Sequence, residues 1–155
     1  MRCAVLFALL ISSQAAAQEW EVLEDSTFGY SLPIPPGYEL SLRPDAGNSR
    51  LFHNPQGDIL AVWGSQLAER SFAEEVEARR VQDENAGWDI TYERVTNEWA
   101  SYSGVQYNQI RYVRAIRLCG SKAAFFMIDY TRSQKQHYDP LVTRMVRQMR
   151  PASGC

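Results

Sequence analysis

The sequence predicts an α+β domain in which an antiparallel β-sheet is flanked by two helices, an α/β/α sandwich. Strand patterns occur in neighbouring pairs joined by short turns, as in antiparallel hairpins. Only two segments have helical spacing of apolar residues, and the order along the chain is strands, helix, strands, helix. The 155 residues are 45% apolar and 22% charged, a composition typical of one globular domain.

The first seventeen residues have the pattern of a secretory signal peptide. Arg2 gives a positive start, residues 3–11 are apolar, and three alanines ending at Ala17 form a small-residue cleavage site. These nine apolar residues are too few for a membrane span, which takes about 20. We therefore expect cleavage after Ala17 and a periplasmic or secreted domain, residues 18–155, that does not span a membrane.

The next part of the chain is predicted to form strands and turns. Residues 19–25 read as an acidic lead-in, and residues 27–34 alternate as a strand that ends in a Pro-Pro-Gly turn. A short strand is expected at residues 38–42. Residues 50–53 and 58–63 then predict a hairpin, because Asn-Pro-Gln-Gly between them supplies turn-forming residues.

The first helix is marked at both ends. Ser71 and Glu74 have the spacing of a capping box, in which each side chain accepts a hydrogen bond from the backbone of the other residue. The helix should run to about Asn85, and Gly87 can supply the left-handed residue that ends it. Its apolar face is thin, so we expect it to lie on the sheet and mostly face solvent. Two further strands are expected at residues 88–95 and 98–103.

The last third of the chain predicts a long hairpin followed by an amphipathic helix. Residues 107–118 and 123–131 are strand-like and flank a turn that contains Cys119 and Gly120. Apolar residues then repeat at helical spacing from Tyr138, so that Asp139 falls in the predicted first turn, and Pro151 ends the pattern. The predicted buried face of this helix comprises Tyr138, Leu141, Val142, Met145, Val146 and Met149.

Cleavage of the signal peptide would remove Cys3 and leave two cysteines, Cys119 and Cys155. An even pair in an exported chain predicts a disulfide bond between them. Two free thiols are the alternative.

No catalytic signature is present, since the chain has no nucleophile elbow, zinc-binding helix, phosphate loop or dinucleotide fingerprint. The two histidines, His53 and His137, lack a metal-binding spacing, and we predict neither a metal nor a cofactor. Asp129 is the one carboxylate to consider for acid–base chemistry, because it lies in an apolar strand. Pairing with a neighbouring arginine is the favoured interpretation. The four tryptophans suggest either packing, which we favour, or a platform for a ligand.

The charge distribution is uneven along the chain. Residues 18–104 carry a net charge of −10, whereas residues 105–155 carry +7. One interpretation is a basic contact surface for an anionic partner, such as an acidic protein or an envelope component. The other, which we favour, is that the two halves interleave in one sheet and neutralise each other. The predicted partner-binding residues are Arg111, Arg114, Arg117, Arg144 and Arg147.

Scattered residues also resemble a known family. The strand Phe28-Gly29-Tyr30-Ser31-Leu32-Pro33, the Pro-Pro-Gly turn, the central helix and the Ser103-Gly104 entry to the long hairpin resemble PsbP-like and DcrB-like α/β/α sandwiches over residues 28–151. The resemblance implies an antiparallel sheet between helices and an accessory or adaptor role. It carries no functional residue over to this chain.

These observations together favour an exported accessory or adaptor protein that binds a protein or an envelope component without catalysis. Nucleic acid is not an expected partner, and the oligomeric state stays open. One alternative is a small-molecule binding or hydrolytic domain with an aromatic cleft. Another is an inhibitor or immunity protein for an envelope-active toxin.

Overall fold

The computed structural model describes residues 19–41 and 48–153, which form two antiparallel sheets and two α-helices. The expected α+β class is confirmed. In chain order the elements are β1 (Glu21–Asp25), β2 (Tyr30–Ile34), β3 (Glu39–Leu40), β4 (Ser49–His53), β5 (Ile59–Gln66), α1 (Phe72–Asn85), β6 (Asp89–Val95), β7 (Trp99–Gln106), β8 (Gln109–Leu118), β9 (Lys122–Thr131), α2 (Lys135–Gln148) and β10 (Arg150–Pro151).

The large sheet has seven strands in the order β3-β4-β5-β9-β8-β7-β6, and every neighbouring pair is antiparallel. The predicted hairpins are all present, although β5 and β7 each extend three residues beyond the expected end. The β8–β9 turn is tight because Gly120 and Ser121 both adopt positive φ angles, of 66° and 54°. Strand β9 joins the two hairpin regions by pairing with β5 as well as with β8.

A second, three-stranded sheet with the order β1-β2-β10 was not predicted. The acidic lead-in forms β1, because β2 offers its edge as a partner and pairing is decided by backbone hydrogen bonds as much as by side chains. The two-residue strand β10 pairs with the other edge of β2. The central strand β2 is thereby held on both sides, and Leu32 and Ile34 are buried.

Helix α1 matches its prediction closely. Ser71 Oγ accepts from the Glu74 backbone N–H at 3.2 Å, and the Glu74 carboxylate accepts from the Ser71 N–H at 2.7 Å, so the capping box is confirmed. Gly87 follows the helix with a φ of 93°. Phe72 and Val76 pack against the large sheet, and half of the residues of the helix are exposed, in keeping with its thin apolar face.

Helix α2 begins at Lys135, three residues before the expected start at Tyr138. A 3₁₀ turn over Arg132–Gln134 leads into it and lets the chain pass directly from β9 into the helix. Asp139 therefore lies in the second turn, not the first as expected, and Pro140 lies inside the helix. Tyr138 and Met145 are buried, and Leu141, Val142 and Val146 pack half-buried against the same core, which confirms the predicted apolar face.

The large sheet separates two cores. One, on the face covered by α1, contains Phe72, Val76 and Phe125. The other lies between the sheet, β2 and α2, and contains Leu32, Phe126, Tyr138 and Met145 among others. We call these two sides of the large sheet the α1 face and the α2 face. None of the helices in residues 19–41 and 48–153 combines the length and apolar character needed to cross a bilayer.

Phe28 closes the second core at one end by lying directly on β5. Its ring covers Gly64 so closely that a Cβ atom added there would be 2.0 Å from the ring. Any side chain at position 64 would therefore displace the ring. The absence of a side chain at this position is a packing requirement of the core.

Candidate functional site

Arg111, on the α1 face of β8, is held in an ion-pair network. Its Nε and Nη2 atoms donate to the two carboxylate oxygens of Asp129 at 2.8 and 2.6 Å, and its Nη1 atom donates to Asp83 of α1. The guanidinium also lies over the Trp88 ring at 4.3 Å. The predicted pairing of Asp129 with an arginine is confirmed. The side chains of Arg111, Asp83 and Asp129 are each only 15% exposed. Because Asp83 belongs to α1 and Arg111 to β8, the network attaches α1 to the sheet.

Arg114, three residues further along β8, lies on the α2 face in a different setting. Its guanidinium lies 4.2 Å from the Trp99 ring centre, and Nη1 donates to Ser101 Oγ at 3.1 Å. Its Nε atom is buried and makes no hydrogen bond. Burial lowers the pKa of Arg114, and only the phenols of Tyr112 and Tyr92 act electrostatically to raise it. Within residues 19–41 and 48–153, no carboxylate pairs with this cation.

A second arginine, Arg94, lies in the same cross-strand row, and sequence reasoning missed it. Arg94 of β6 is paired in register with Ser101 of β7, which is paired with Arg114 of β8. The Arg94 guanidinium lies 5.2 Å from the ring centre of Trp99, so both cations approach one indole. The signal was available in the sequence as alternating positions on adjacent predicted strands, but it required the strand register.

Two tyrosines complete this surface. Tyr112 donates to Ser101 Oγ at 2.9 Å, the same hydroxyl that Arg114 contacts. Tyr92 of β6 is 48% exposed, because α2 lies over β9 and packs on β2 without covering β6. We call this part of the α2 face the open face. It comprises Tyr92, Arg94, Trp99, Ser101, Tyr112 and Arg114.

A groove runs between the open face and α2. Tyr112 lies on its sheet side, and Val142, Val146 and Arg147 lie on its helix side. Its volume is about 340 Å³, and the buried Tyr130 contributes to its floor. Burial, followed by the Asp139 and Tyr112 charges, raises the pKa of Tyr130 to about 12, so its phenol is neutral at ordinary pH. The groove is shallow and is lined by apolar carbon more than by polar atoms.

The other predicted partner-binding arginines lie apart from one another. Arg117 is exposed on the α1 face of β8, opposite to Arg114. Arg144 of α2 lies over the Trp20 ring at 4.3 Å, and Arg147 borders the groove. Arg147 and Tyr112 line the same groove, and Tyr112 and Arg114 contact the same Ser101 hydroxyl. Arg114 and Arg147 therefore lie on the same side of the sheet. Arg111 and Arg117 lie on the other side of the sheet.

The remaining tryptophan, Trp63, also has an arginine over its ring. Trp63 stacks on Phe125 with ring centres 5.2 Å apart, and Arg79 of α1 lies over it at 5.8 Å. Together with the pairs already described, each of the four tryptophans has an arginine over its ring. Among the described residues only Trp99 has two, and neither of its arginines has a carboxylate partner; Arg144 over Trp20 has none either, but its Nε atom donates to Gln148.

Asp58 is the centre of a buried polar cluster at the start of β5. Tyr138 donates to it at 2.6 Å and Asn54 at 2.9 Å, while the hydroxyls of Tyr38 and Tyr138 lie 2.8 Å apart. Burial and the hydrogen bond to Asp58 raise the pKa of Tyr138 well above its usual range. The cluster ties α2 to the β4–β5 turn, which gives it a structural role.

Neither histidine joins a metal-binding group in the described ranges. His53 is exposed, and His137 lies edge-on to Tyr138 with ring centres 5.4 Å apart. No group of three His, Cys, Asp or Glu side chains in residues 19–41 and 48–153 is arranged to hold a metal ion.

Cys119 lies exposed at the β8–β9 turn, where the sequence placed it. Its predicted partner Cys155, like the predicted signal peptide, lies outside the described residues. The pairing of Cys119 with Cys155 therefore stays a prediction.

One ion pair joins the acidic and the basic parts of the chain among the described residues. Asp83 comes from the acidic residues 18–104 and Arg111 from the basic residues 105–155, and their ion pair bridges α1 and β8. This contact is of the kind expected from interleaved halves. Arg114 belongs to the same strand and is not neutralised in this way.

These features define an α+β fold of two antiparallel sheets and two α-helices over the described residues. No family model matches the chain, and no curated protein matches it. Its fold is PsbP-like, which confirms the resemblance seen in the sequence. The solution structure of cyanobacterial PsbP (CyanoP) from Synechocystis sp. PCC 6803 is 13% identical, with a TM-score of 0.66, over 89% of this chain and 95% of that one.

The Ran-binding protein Mog1p of Saccharomyces cerevisiae has a similar structure. It is 14% identical, with a TM-score of 0.62, and the match covers 87% of this chain and 96% of Mog1p. At these identities the similarity establishes the fold alone.

Proposed function

We propose that this chain is an exported accessory or adaptor protein that binds a partner protein through its open face. The observation that carries the proposal is Arg114, a half-buried cation with no carboxylate partner among residues 19–41 and 48–153. A buried charge without a counterion destabilises the folded chain that holds it. A partner that supplies the counterion would offset this cost.

The composition of the open face supports a protein partner. Arginine, tyrosine and tryptophan are the residues most enriched at the centres of protein interfaces, and this surface contains all three. Its groove is shallow, whereas small-molecule sites bury most of their ligand in a deep cleft. The Ran-binding activity named for Mog1p is consistent with a protein-binding use of this fold.

Catalysis is not part of the proposal. Asp129 is bound on both oxygens by Arg111, and Asp58 is engaged by Tyr138 and Asn54. Neither carboxylate lies on the open face.

Export is proposed from the sequence. Residues 1–17 have the three regions of a signal peptide, and Cys119 and Cys155 would be the cysteines that remain after cleavage. Expression of the full chain in a Gram-negative host, followed by fractionation and intact-mass measurement, tests this. We expect periplasmic protein that begins at Gln18 and has no alkylatable thiol until it is reduced. A cytoplasmic, uncleaved product would contradict the proposal.

The binding proposal is tested by site-specific photocrosslinking in the source cell. A photoreactive phenylalanine analogue replaces Tyr92 on the open face, and the control places it at Val81 of α1, which is 38% exposed on the opposite side. We expect one discrete crosslinked partner from position 92 and none from position 81. Equal crosslinking at both positions, or none at position 92, would argue against the open face. A single partner enzyme that is inhibited stoichiometrically would identify the inhibitor alternative.

A further inference from the structure

The open face concentrates positive charge that the folded chain does not neutralise. Arg94 and Arg114 flank Ser101 in one cross-strand row, and both guanidiniums approach the Trp99 ring, at 5.2 and 4.2 Å. Neither forms an ion pair within the described parts of the chain, although residues 18–104 carry sixteen carboxylates. Two like charges over one ring repel each other, so an anion between them would remove a cost.

The hydrogen-bonding capacity of this row is also incompletely used. Arg114 Nε has no acceptor, and Arg114 Nη1 has only the neutral oxygen of Ser101. Residues two strands apart in an antiparallel sheet have Cα atoms about 10 Å apart. Long arginine side chains at that spacing can both reach one small anion.

We infer that the open face binds an acidic segment of a partner protein, with an Asp or Glu carboxylate bound by Arg94 and Arg114 beside Trp99. The inference rests on the proposed function, since it assigns the chemistry of the partner. The planar guanidinium fork suits a planar carboxylate, which can accept two parallel hydrogen bonds. Ser101 is buried beside the arginines and accepts from Arg114 Nη1, which helps to fix the position of that guanidinium.

A protein carboxylate fits this surface better than a lipid headgroup. Surfaces that bind anionic membranes use clusters of four to eight Lys or Arg, whereas the open face has two. Three of the six residues of the open face are aromatic, and Tyr92 is exposed to solvent. Exposed aromatic residues of this kind are typical of protein interfaces.

The test uses the mature chain, residues 18–155, and the arginine Nε–H signals in its ¹H–¹⁵N spectra. The probes are a blocked hexaglutamate peptide, a hexaglutamine peptide of the same length, inorganic phosphate, and phosphatidylglycerol vesicles. We expect hexaglutamate to shift the Arg94 and Arg114 signals saturably and hexaglutamine to leave them unchanged. The exposed Arg117, on the other face of β8, is the internal reference in every spectrum.

Two variants assign the binding. Arg114→Gln removes the half-buried guanidinium, and Arg94→Gln removes the exposed one, so that a folding defect in the first does not prevent the test. Each should weaken hexaglutamate binding about tenfold or more, the usual effect of losing hydrogen bonds to a charged group. The matched control Arg117→Gln should leave the affinity unchanged.

Three outcomes would overturn the inference: no saturable shift with hexaglutamate, an equal response at Arg117, or tighter binding of phosphate or vesicles than of hexaglutamate. Its failure is separable from failure of the proposed function. If Tyr92 still crosslinks one partner but hexaglutamate does not bind, the open face is an interface with different chemistry. If position 92 yields no partner, the proposed function itself is wrong.

Discussion

Arg111 and Arg114 lie three residues apart on β8, and each covers a tryptophan, yet their surroundings differ. Arg111 faces α1 and is neutralised by Asp83 and Asp129. Arg114 faces the opposite side, where its neighbours among the described residues are phenols and a hydroxyl. The Arg111 ion pairs stabilise the fold. The Arg114 guanidinium has no counterion among the described residues. The contrast separates a stabilising arginine from one available for binding.

The largest expected effect is on the Arg111 side. Arg111→Met leaves Asp83 and Asp129 largely buried without their cation, and breaking such a pair should lower the free energy of unfolding by about 3 kcal/mol. Urea unfolding followed by far-UV circular dichroism measures the change. Arg117→Met, an exposed site on the same face of the same strand, is the control and should change stability by less than about 0.5 kcal/mol. Equal losses of unfolding free energy in Arg111→Met and Arg117→Met would show that the Arg111 ion pairs do not stabilise the fold.

A second, smaller effect on stability is expected at alkaline pH. It should differ between Tyr130, beside the open face, and Tyr102, on the α1 face. Burial raises the pKa of Tyr130, beside the open face, to about 12, and burial with the Asp83 hydrogen bond raises the pKa of Tyr102, on the Arg111 side, further. An unfolded phenol loses its proton near pH 10, so the unfolded state binds fewer protons above that pH. The stability contributed by Tyr130 is therefore complete below about pH 10 and is lost as pH rises through about 12.

Ultraviolet absorbance of tyrosinate in the native chain measures the order of ionisation. We expect Tyr130→Phe to remove a phenol that ionises before global unfolding, and Tyr102→Phe to remove one that ionises only with it. The reverse order would show that burial and the hydrogen bond to Asp83 do not keep Tyr102 protonated.

The smallest stability effect is expected at Arg114. Arg114→Met keeps contact with Trp99 and removes an uncompensated charge, so the free energy of unfolding should stay the same or rise by about 1 kcal/mol. The same urea titration used for Arg111→Met provides the comparison. A loss of more than about 1 kcal/mol would indicate that Arg114 stabilises the fold like Arg111.

Local signals in the sequence were sufficient for most elements of the fold. The capping box at Ser71, the Asn-Pro-Gln-Gly turn and the alternating β8 and β9 strands each depend on residues close in sequence. The start of α2 was misplaced because the 3₁₀ turn continues from β9 without a capping side chain. Strand β1 was missed because its acidic composition conceals its pairing with β2, the next strand along the chain.

The candidate site was only partly predictable, for a related reason. Arg114 was singled out by the basic charge of the last third of the chain, and the pairing of Asp129 with an arginine followed from its place in an apolar strand. Arg94 lies in the acidic half and became visible only through the register of β6, β7 and β8. Which arginine lacks a counterion depends on which face α1 covers, and that is decided by packing across the whole sheet.

The contact between Phe28 and Gly64 has a consequence for the evolution of this chain. A ring that lies where a Cβ atom would be makes the two positions dependent on each other, although Phe28 lies in the β1–β2 turn and Gly64 in β5 of the large sheet. Descendants that keep an aromatic residue at 28 should keep glycine at 64, and those that lose the ring are free to vary both. Such a coupled pair would help to recognise distant relatives when overall identity is too low to do so.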